Sequence, residues 1–279
     1  MYFNLKQLFQ NIIFLTHSGR LLDAINQKVS SFLLIVLLPF SLFMTGCGGG
    51  GTTTATETYR NTIEGAYGTE YNNQVGLAQI NAVSLNNYGH NGSGVKVAVV
   101  DSGIASTHAE FGRAIYGRDF GGSTNGYGSD EHGHGTHVAS IIAGDRDGSG
   151  MRGVAYEATL YDYRVANDAG SLAGLSNDTE TAKVFNQHVT DNIKVSNNSW
   201  GTAGVEINEV SESWVRTNSK QSISAALAAI NNGTLFVFAA GNNGAMHANL
   251  AGGLPYRIAE LNESWLVVVS VDPNNVETY

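Results

Sequence analysis

The chain is 279 residues long, 42% hydrophobic and only 14% charged, with a formal net charge of −9 at pH 7. Those values exclude a disordered or collagen-like polypeptide, and without a Lys/Arg-rich run no nucleic-acid partner is expected. One cysteine, Cys47, leaves no intrachain disulfide.

The first distinctive element is the apolar stretch Phe32–Met44 (FLLIVLLPFSLFM). It is short for a bilayer-spanning helix and suits the core of an export signal. Lys6, Arg20 and Lys28 against Asp23 leave the preceding segment net positive, and Thr45 and Gly46 precede the cysteine. The ending Met-Thr-Gly-Cys resembles a bacterial lipobox, in which the cysteine is lipidated. A core cysteine beside an ordinary signal cleavage site is the alternative reading. The expected organisation is a signal peptide with lipobox at 1–46, a lipidated Cys47 with a flexible Gly/Thr-rich linker at 47–70, and a globular part at 71–279.

Within the globular part, short β-branched or aromatic runs alternate with helical patterns. Strands are expected at Val95–Val100, Thr159–Val165, Ile193–Asn197, Leu235–Ala240 and Trp265–Val271. Several are almost continuously apolar, as strands buried on both faces are. Helices are expected at His134–Ala143, Thr179–His188 and Lys220–Asn231, the last closed by Gly233. This alternation predicts an α/β fold: a doubly wound, mostly parallel sheet with helices on both faces. Function then collects at the carboxyl ends of the strands.

Asp101 follows the first of these strands. A carboxylate beside a buried strand is costly without a partner, although it could simply cap the next loop. The stretch DEHGHGTHVAS (Asp130–Ser140) holds three histidines. On a helix whose apolar stripe is Val138, Ile141 and Ile142, His134 falls within the stripe's sector and points toward the sheet. His132 would face the opposite way, and His137 could pack behind His134. A three-histidine metal site is therefore geometrically poor. Gly133 and Gly135 suggest close backbone approach. Past the strand Leu235–Ala240, Asn242 on a Gly-rich turn could donate to a developing oxyanion, or belong to a plain Asn-Gly turn. Ser199, Trp200 and Gly201 open a long loop at a strand end, a candidate substrate contact, with Trp200 alone more often a packing residue.

In order, these segments resemble the subtilisin-like serine proteases, the subtilases. The matching pieces are VKVAVVDSGI (95–104), HGTHVAS (134–140), GVAYEATLYDYRV (153–165), NNSWG (197–201) and AAGNNG (239–244). The resemblance runs from about Tyr71 to Asp272. With GLPYRIAELNESWLVVVSVD (253–272) and the lipobox, the chain looks most like the passenger domains of Gram-negative autotransporter subtilases. The resemblance implies Asp101 as triad acid, His134 as general base, Asn242 as oxyanion-hole amide and Ser199-Trp200-Gly201 as the strand that pairs with substrate. It implies protein or peptide substrates and a lipid-anchored protein of the outer membrane or cell surface. No cofactor is required. Calcium is plausible from the family, because Glu110 sits where some subtilases place a calcium-binding acid.

The family's nucleophile motif, Gly-Thr-Ser-x-Ala, does not occur among the 279 residues. The expectation is therefore the N-terminal part of a serine endopeptidase, with the sheet incomplete at its C-terminal side and no hydrolysis by this polypeptide alone. The alternative is a non-catalytic, lipid-anchored peptide-binding protein.

Overall fold

Six parallel strands form the sheet, in the order β2-β3-β1-β4-β5-β6. They are β1 (Lys96–Asp101), β2 (Tyr116–Asp119), β3 (Thr159–Arg164), β4 (Val195–Asn198), β5 (Leu235–Ala239) and β6 (Trp265–Val268). The computed structural model describes residues 70–71, 74–201, 204–242, 244, 246–271 and 277–278. The expected signal segment, Cys47 and nearly all of the linker lie outside the described residues.

The centre of the sheet shows why the strands read as apolar runs. In β1, Val97 and Val99 pack with Ala139 and Ala143 of helix α3 (His134–Ala143). Ala98 and Val100 join the opposite cluster. That cluster holds Phe185 of α4 (Asp178–Asp191) and Ala226 of α6 (Lys220–Asn231). Both faces of the strand are covered, so alternation disappears from its sequence. On the second face Phe236 and Phe238 stack on Trp265, with Phe238 and Trp265 centroids 4.4 Å apart. Burying side chains of this size stabilises the fold by roughly 1.5–3 kcal/mol each.

Two of the expected helices, α3 and α6, match their predicted bounds. The third extends at both ends: Asn177 caps it by accepting Glu180 N–H at 3.0 Å, and Asn192, with φ 56°, turns the chain out of it. The buried face of α3 is Gly135, Ala139 and Ala143, flanked by Val138 and Ile142, while Ile141 is exposed. The predicted stripe was thus rotated toward the larger residues, because small residues let α3 approach the sheet closely.

The expected strand Trp265–Val271 ends at Val268. Ser270–Val271 (β7) instead pairs antiparallel with Glu277–Thr278 (β8). The long segment after Gly201 is not all loop: it contains a single 3₁₀ turn, Ile207–Glu209, and helix α5 (Glu212–Asn218), capped by Ser211. Two short helices, α1 (Val75–Gln79) and α2 (Ala82–Asn87), precede β1. The edge strand β2 was not predicted: Tyr-Gly-Arg-Asp is polar and half exposed, so it carries no apolar run.

From β1 the chain passes to the edge strand β2, returns to β3 beside β1, then crosses to β4 on the other side of β1. The carboxyl ends of β3, β1 and β4 therefore frame the point where the winding reverses, the usual crevice for ligands in open α/β sheets. Asp101 is the last residue of β1 and stands in that crevice.

Candidate active site

Asp101 is only 4% exposed. Its Oδ1 lies 2.7 Å from His134 Nδ1 and accepts the Ser102 N–H at 2.7 Å. A carboxylate can only accept, so this contact places the imidazole proton on Nδ1 and leaves Nε2 with a free lone pair. Burial pushes the Asp101 carboxyl above the usual carboxylate range, and the hydrogen bonds from His134 and Ser102 hold it back. His134 itself is 45% exposed in its side chain, open to a reacting group at the mouth of the crevice.

The pair meets because α3 starts against the loop after β1. A Cβ on Gly135 would collide with Gly103 O and come within 3.0 Å of Asp101 Cβ, so only glycine allows this approach. Gly133, with φ +82°, turns the chain into the helix. That turn brings the exposed His132 beside His134, ring centroids 6.2 Å apart, rather than to the opposite face. The opposite-face expectation assumed a helix already running at His132, whereas α3 begins two residues later, at His134. His137 is exposed instead of packed behind His134. Among the described residues no group of three or more His, Cys, Asp or Glu could hold a metal ion.

A second layer, not anticipated from sequence, fixes this junction. Asp130 Oδ1 accepts from Ser102 Oγ (2.9 Å) and Gly133 N–H (2.9 Å). Its Oδ2 accepts from Thr136 N–H (2.9 Å) and Thr136 Oγ1 (2.6 Å). Ser102 Oγ in turn accepts the Gly135 N–H at 2.9 Å. Burial would raise the Asp130 carboxyl, but the bonds from Thr136, Gly133 and Ser102 outweigh it and leave it low.

Behind the junction, the fully buried Arg164 donates to Ser129 O (2.9 Å) and pairs with Glu131 (2.6 Å). Asp162, also fully buried, accepts the Gly128 N–H at 2.8 Å. Burial pushes its carboxyl up to about 7 despite that bond and one from the Ile104 N–H. The signal for both was present: Asp162 and Arg164 are charges in a strand expected to be buried, where a charge needs a partner.

Ser199, Trp200 and Gly201 follow β4, at the same edge as Asp101. Asn197 Nδ2 donates to Ser199 Oγ at 3.0 Å. Trp200 packs edge-on against Phe238 at 5.2 Å and helps line a cavity of about 210 Å³ with Phe185, Trp214 and Leu250. Gly201 lies against the side chain of Asn249, whose Nδ2 donates to Ala239 O (2.8 Å) and Ala240 O (3.0 Å). Asn249 thereby ties the end of β5 to the Ser199–Gly201 segment, a role that Asn-Leu-Ala-Gly gives no hint of in the sequence. Asn242 is exposed just past β5, after Gly241 with φ +127°.

Glu110, the acid that the family resemblance connects with calcium, accepts the Met151 N–H at its Oε1, 3.1 Å away.

Comparison with known proteins identifies the family. Residues 92–279 match the family model described as "Subtilase family". An extracellular serine protease of Serratia marcescens is 31% identical over 247 residues, covering 74% of this chain and 22% of that protein. Subtilisin E of Bacillus subtilis (strain 168) is 33% identical over 184 residues, covering 64% of this chain and 42% of that protein. Among solved structures, the crystal structure of MycP1 with the N-terminal propeptide removed matches with TM-score 0.44 and 26% identity over 61% of this chain and 49% of that one. The chain thus spans less than half the length of these curated relatives. With an α/β parallel sheet of this type and a family match over residues 92–279, the chain belongs to the subtilases, a family of serine proteases.

Proposed function

We propose that this chain carries the acid and base of a serine endopeptidase, and that a serine outside residues 1–279 completes the triad. The observation that carries the reading is the 2.7 Å contact between a buried Asp101 and a half-exposed His134 at the sheet's switch point. In this mechanism His134 Nε2 takes the proton of the attacking serine hydroxyl and later gives it to the leaving amine. Asp101 holds the ring in the Nδ1–H tautomer and offsets the imidazolium charge. The Asn242 amide donates to the oxyanion of the tetrahedral intermediate. Ser199, Trp200 and Gly201 pair with the substrate backbone as an added strand. The 279-residue polypeptide alone, which contains no Gly-Thr-Ser, does not hydrolyse peptides on this reading.

That same sequence fact is what favours the second reading, a lipid-anchored protein that binds peptides without cleaving them. The deciding experiment is fluorophosphonate labelling of the protein expressed from its locus with the codons downstream of Tyr279 included. Labelling that disappears in His134→Ala supports the endopeptidase. Labelling that survives His134→Ala removes His134 from the mechanism, and no labelling with retained peptide binding favours the second reading.

Export through the segment before Cys47, lipidation of Cys47 and display at the outer membrane or cell surface, as in an autotransporter passenger, complete the proposal. The name of the Serratia relative, an extracellular protease, supports export. Metabolic labelling with a palmitate analogue should mark the chain and fail in Cys47→Ser.

A further inference from the structure

The segment from Asp145 to Arg152 is organised around carboxylates. Glu70 is 1% exposed. Its Oε1 accepts the backbone N–H groups of Asp147 (2.7 Å), Gly148 and Ser149 (3.2 Å). Glu110 reaches the other end of the loop at the Met151 N–H, over Gly150, where any Cβ would occupy the place of Glu110 Oε1. The two acids of the loop itself are also turned to donors. Asp145 accepts from Gly112 N–H and Arg113 Nε, and Asp147 accepts the Ser149 N–H at 2.9 Å. At the loop's end the fully buried Arg152 lies over the rings of Tyr71 (5.5 Å) and Tyr156 (5.7 Å).

Successive N–H groups converging on one oxygen make an anion-binding nest. A calcium site needs the reverse, six to eight carbonyl, carboxylate and water oxygens converging on a point. The loop therefore presents the wrong side of its peptide groups to a cation. Glu70 and Tyr71 also precede the family match, which begins at residue 92, yet both are buried in the domain.

We propose that Glu70 and Glu110 fold the 145–152 loop as internal anions, so that the domain needs no calcium and depends on chain N-terminal to residue 92. This inference does not rest on the proposed catalysis. Thermal unfolding of the full chain should give the same midpoint in excess EDTA and in millimolar calcium, and calorimetric titration with calcium chloride should give no binding heat. Glu70→Gln keeps the side chain's shape but removes its charge, and should lower the midpoint by roughly 3–10 °C in both conditions. Hydrogen exchange at the amides of 147–149 should accelerate in Glu70→Gln, a readout that follows the nest itself. Glu110→Gln should speed exchange at Met151 instead. A calcium-induced rise in the midpoint that Glu110→Gln abolishes would overturn the proposal, as would unchanged exchange at 147–149 in Glu70→Gln.

Discussion

Lowering the pH from 6.5 toward 4 should cost this fold roughly 3 kcal/mol through one side chain, His188. The ring is fully buried between α4 and β4, with its centroid 5.0 Å from Tyr163, 5.9 Å from Phe185 and 5.3 Å from Phe236. Its Nδ1 is 2.9 Å from Val184 O, which can only accept, so Nδ1 carries the proton. Nε2 then accepts the Ser196 hydroxyl at 2.7 Å, and Ser196 Oγ accepts Asn198 Nδ2 at 2.9 Å. Burial pushes the imidazole from its ordinary 6.5 down to about 4. The unfolded chain takes up its proton near pH 6.5 and the native ring only near 4. Stability from this group is full above 6.5, falls by about 1.4 kcal/mol per pH unit below it, and has lost roughly 3 kcal/mol once the pH passes 4. Urea unfolding of the wild type and His188→Gln at several pH values between 7.5 and 4.5 isolates the contribution, since every other group titrates in both proteins. The wild type's advantage should shrink steadily with falling pH, and NMR should show a ring that stays neutral at pH 5. A constant difference between the two proteins across this range, or a ring that titrates near 6.5, would refute the argument.

Asp162 should slope the other way. Its folded carboxyl is raised from 3.8 to about 7 by burial. Its contribution is therefore full below 3.8 and is lost as pH rises through 7, on the order of 4 kcal/mol in all. Relative to the wild type, Asp162→Asn should gain stability as pH rises from about 4 to 8, measured by chemical denaturation at each pH. Gly135→Ala should destabilise by about 1–3 kcal/mol, because the added methyl drives α3 off Gly103 and Asp101. A crystal structure of that variant should show the His134–Asp101 contact lengthened. Asp130→Asn replaces an acceptor of five N–H and O–H donors, from Ser102, His132, Gly133 and Thr136, by an amide. A loss of about 1–3 kcal/mol in urea is expected, together with faster hydrogen exchange at Thr136.

The parts of the fold that were legible are those with strong local signals. Helices α3 and α6 carry long helical patterns bounded by glycine, and β1 and β5 are apolar runs ending in Asp-Ser-Gly and Ala-Gly-Asn. The element β2 was hidden because an exposed edge strand of four residues needs no apolar pattern. Helix α5 was hidden because its only buried residue is Val215, so it has no stripe to read. At the site, Asp101 and His134 could be chosen singly, but not the reason that they meet. That reason is Asp130 and Ser102, whose hydrogen bond joins residues far apart in sequence, and nothing local marks a serine as the acceptor for Gly135 N–H. The facing of His132 was misjudged for a related cause. A helical wheel assumes that the helix has begun, and Gly133 places its start two residues after His132.

The concentration of buried polar groups behind His134 is itself an argument about what the region does. Asp101, on β1, and Asp162 and Arg164, on β3, are at most 4% exposed, and Asp130 lies in the loop that leads into α3. Replacing buried ionic groups with apolar ones of similar volume is often neutral or stabilising, so stability alone does not account for them. Apolar packing could close the same gap, but it would leave the loop at 128–131 free to slide by a fraction of an ångström. Arg164 on Ser129, Asp162 on Gly128 and Asp130 on Thr136 instead fix that loop by directional bonds, immediately before the residue whose ring must face Asp101. A proton transfer through His134 gains from such fixity, since misplacement of about 1 Å can cost a hundredfold in rate. A surface that only bound extended peptide would depend on the Ser199–Gly201 edge and would draw nothing from a rigid His134. The polar scaffold under His134 therefore argues for the endopeptidase over the binding protein.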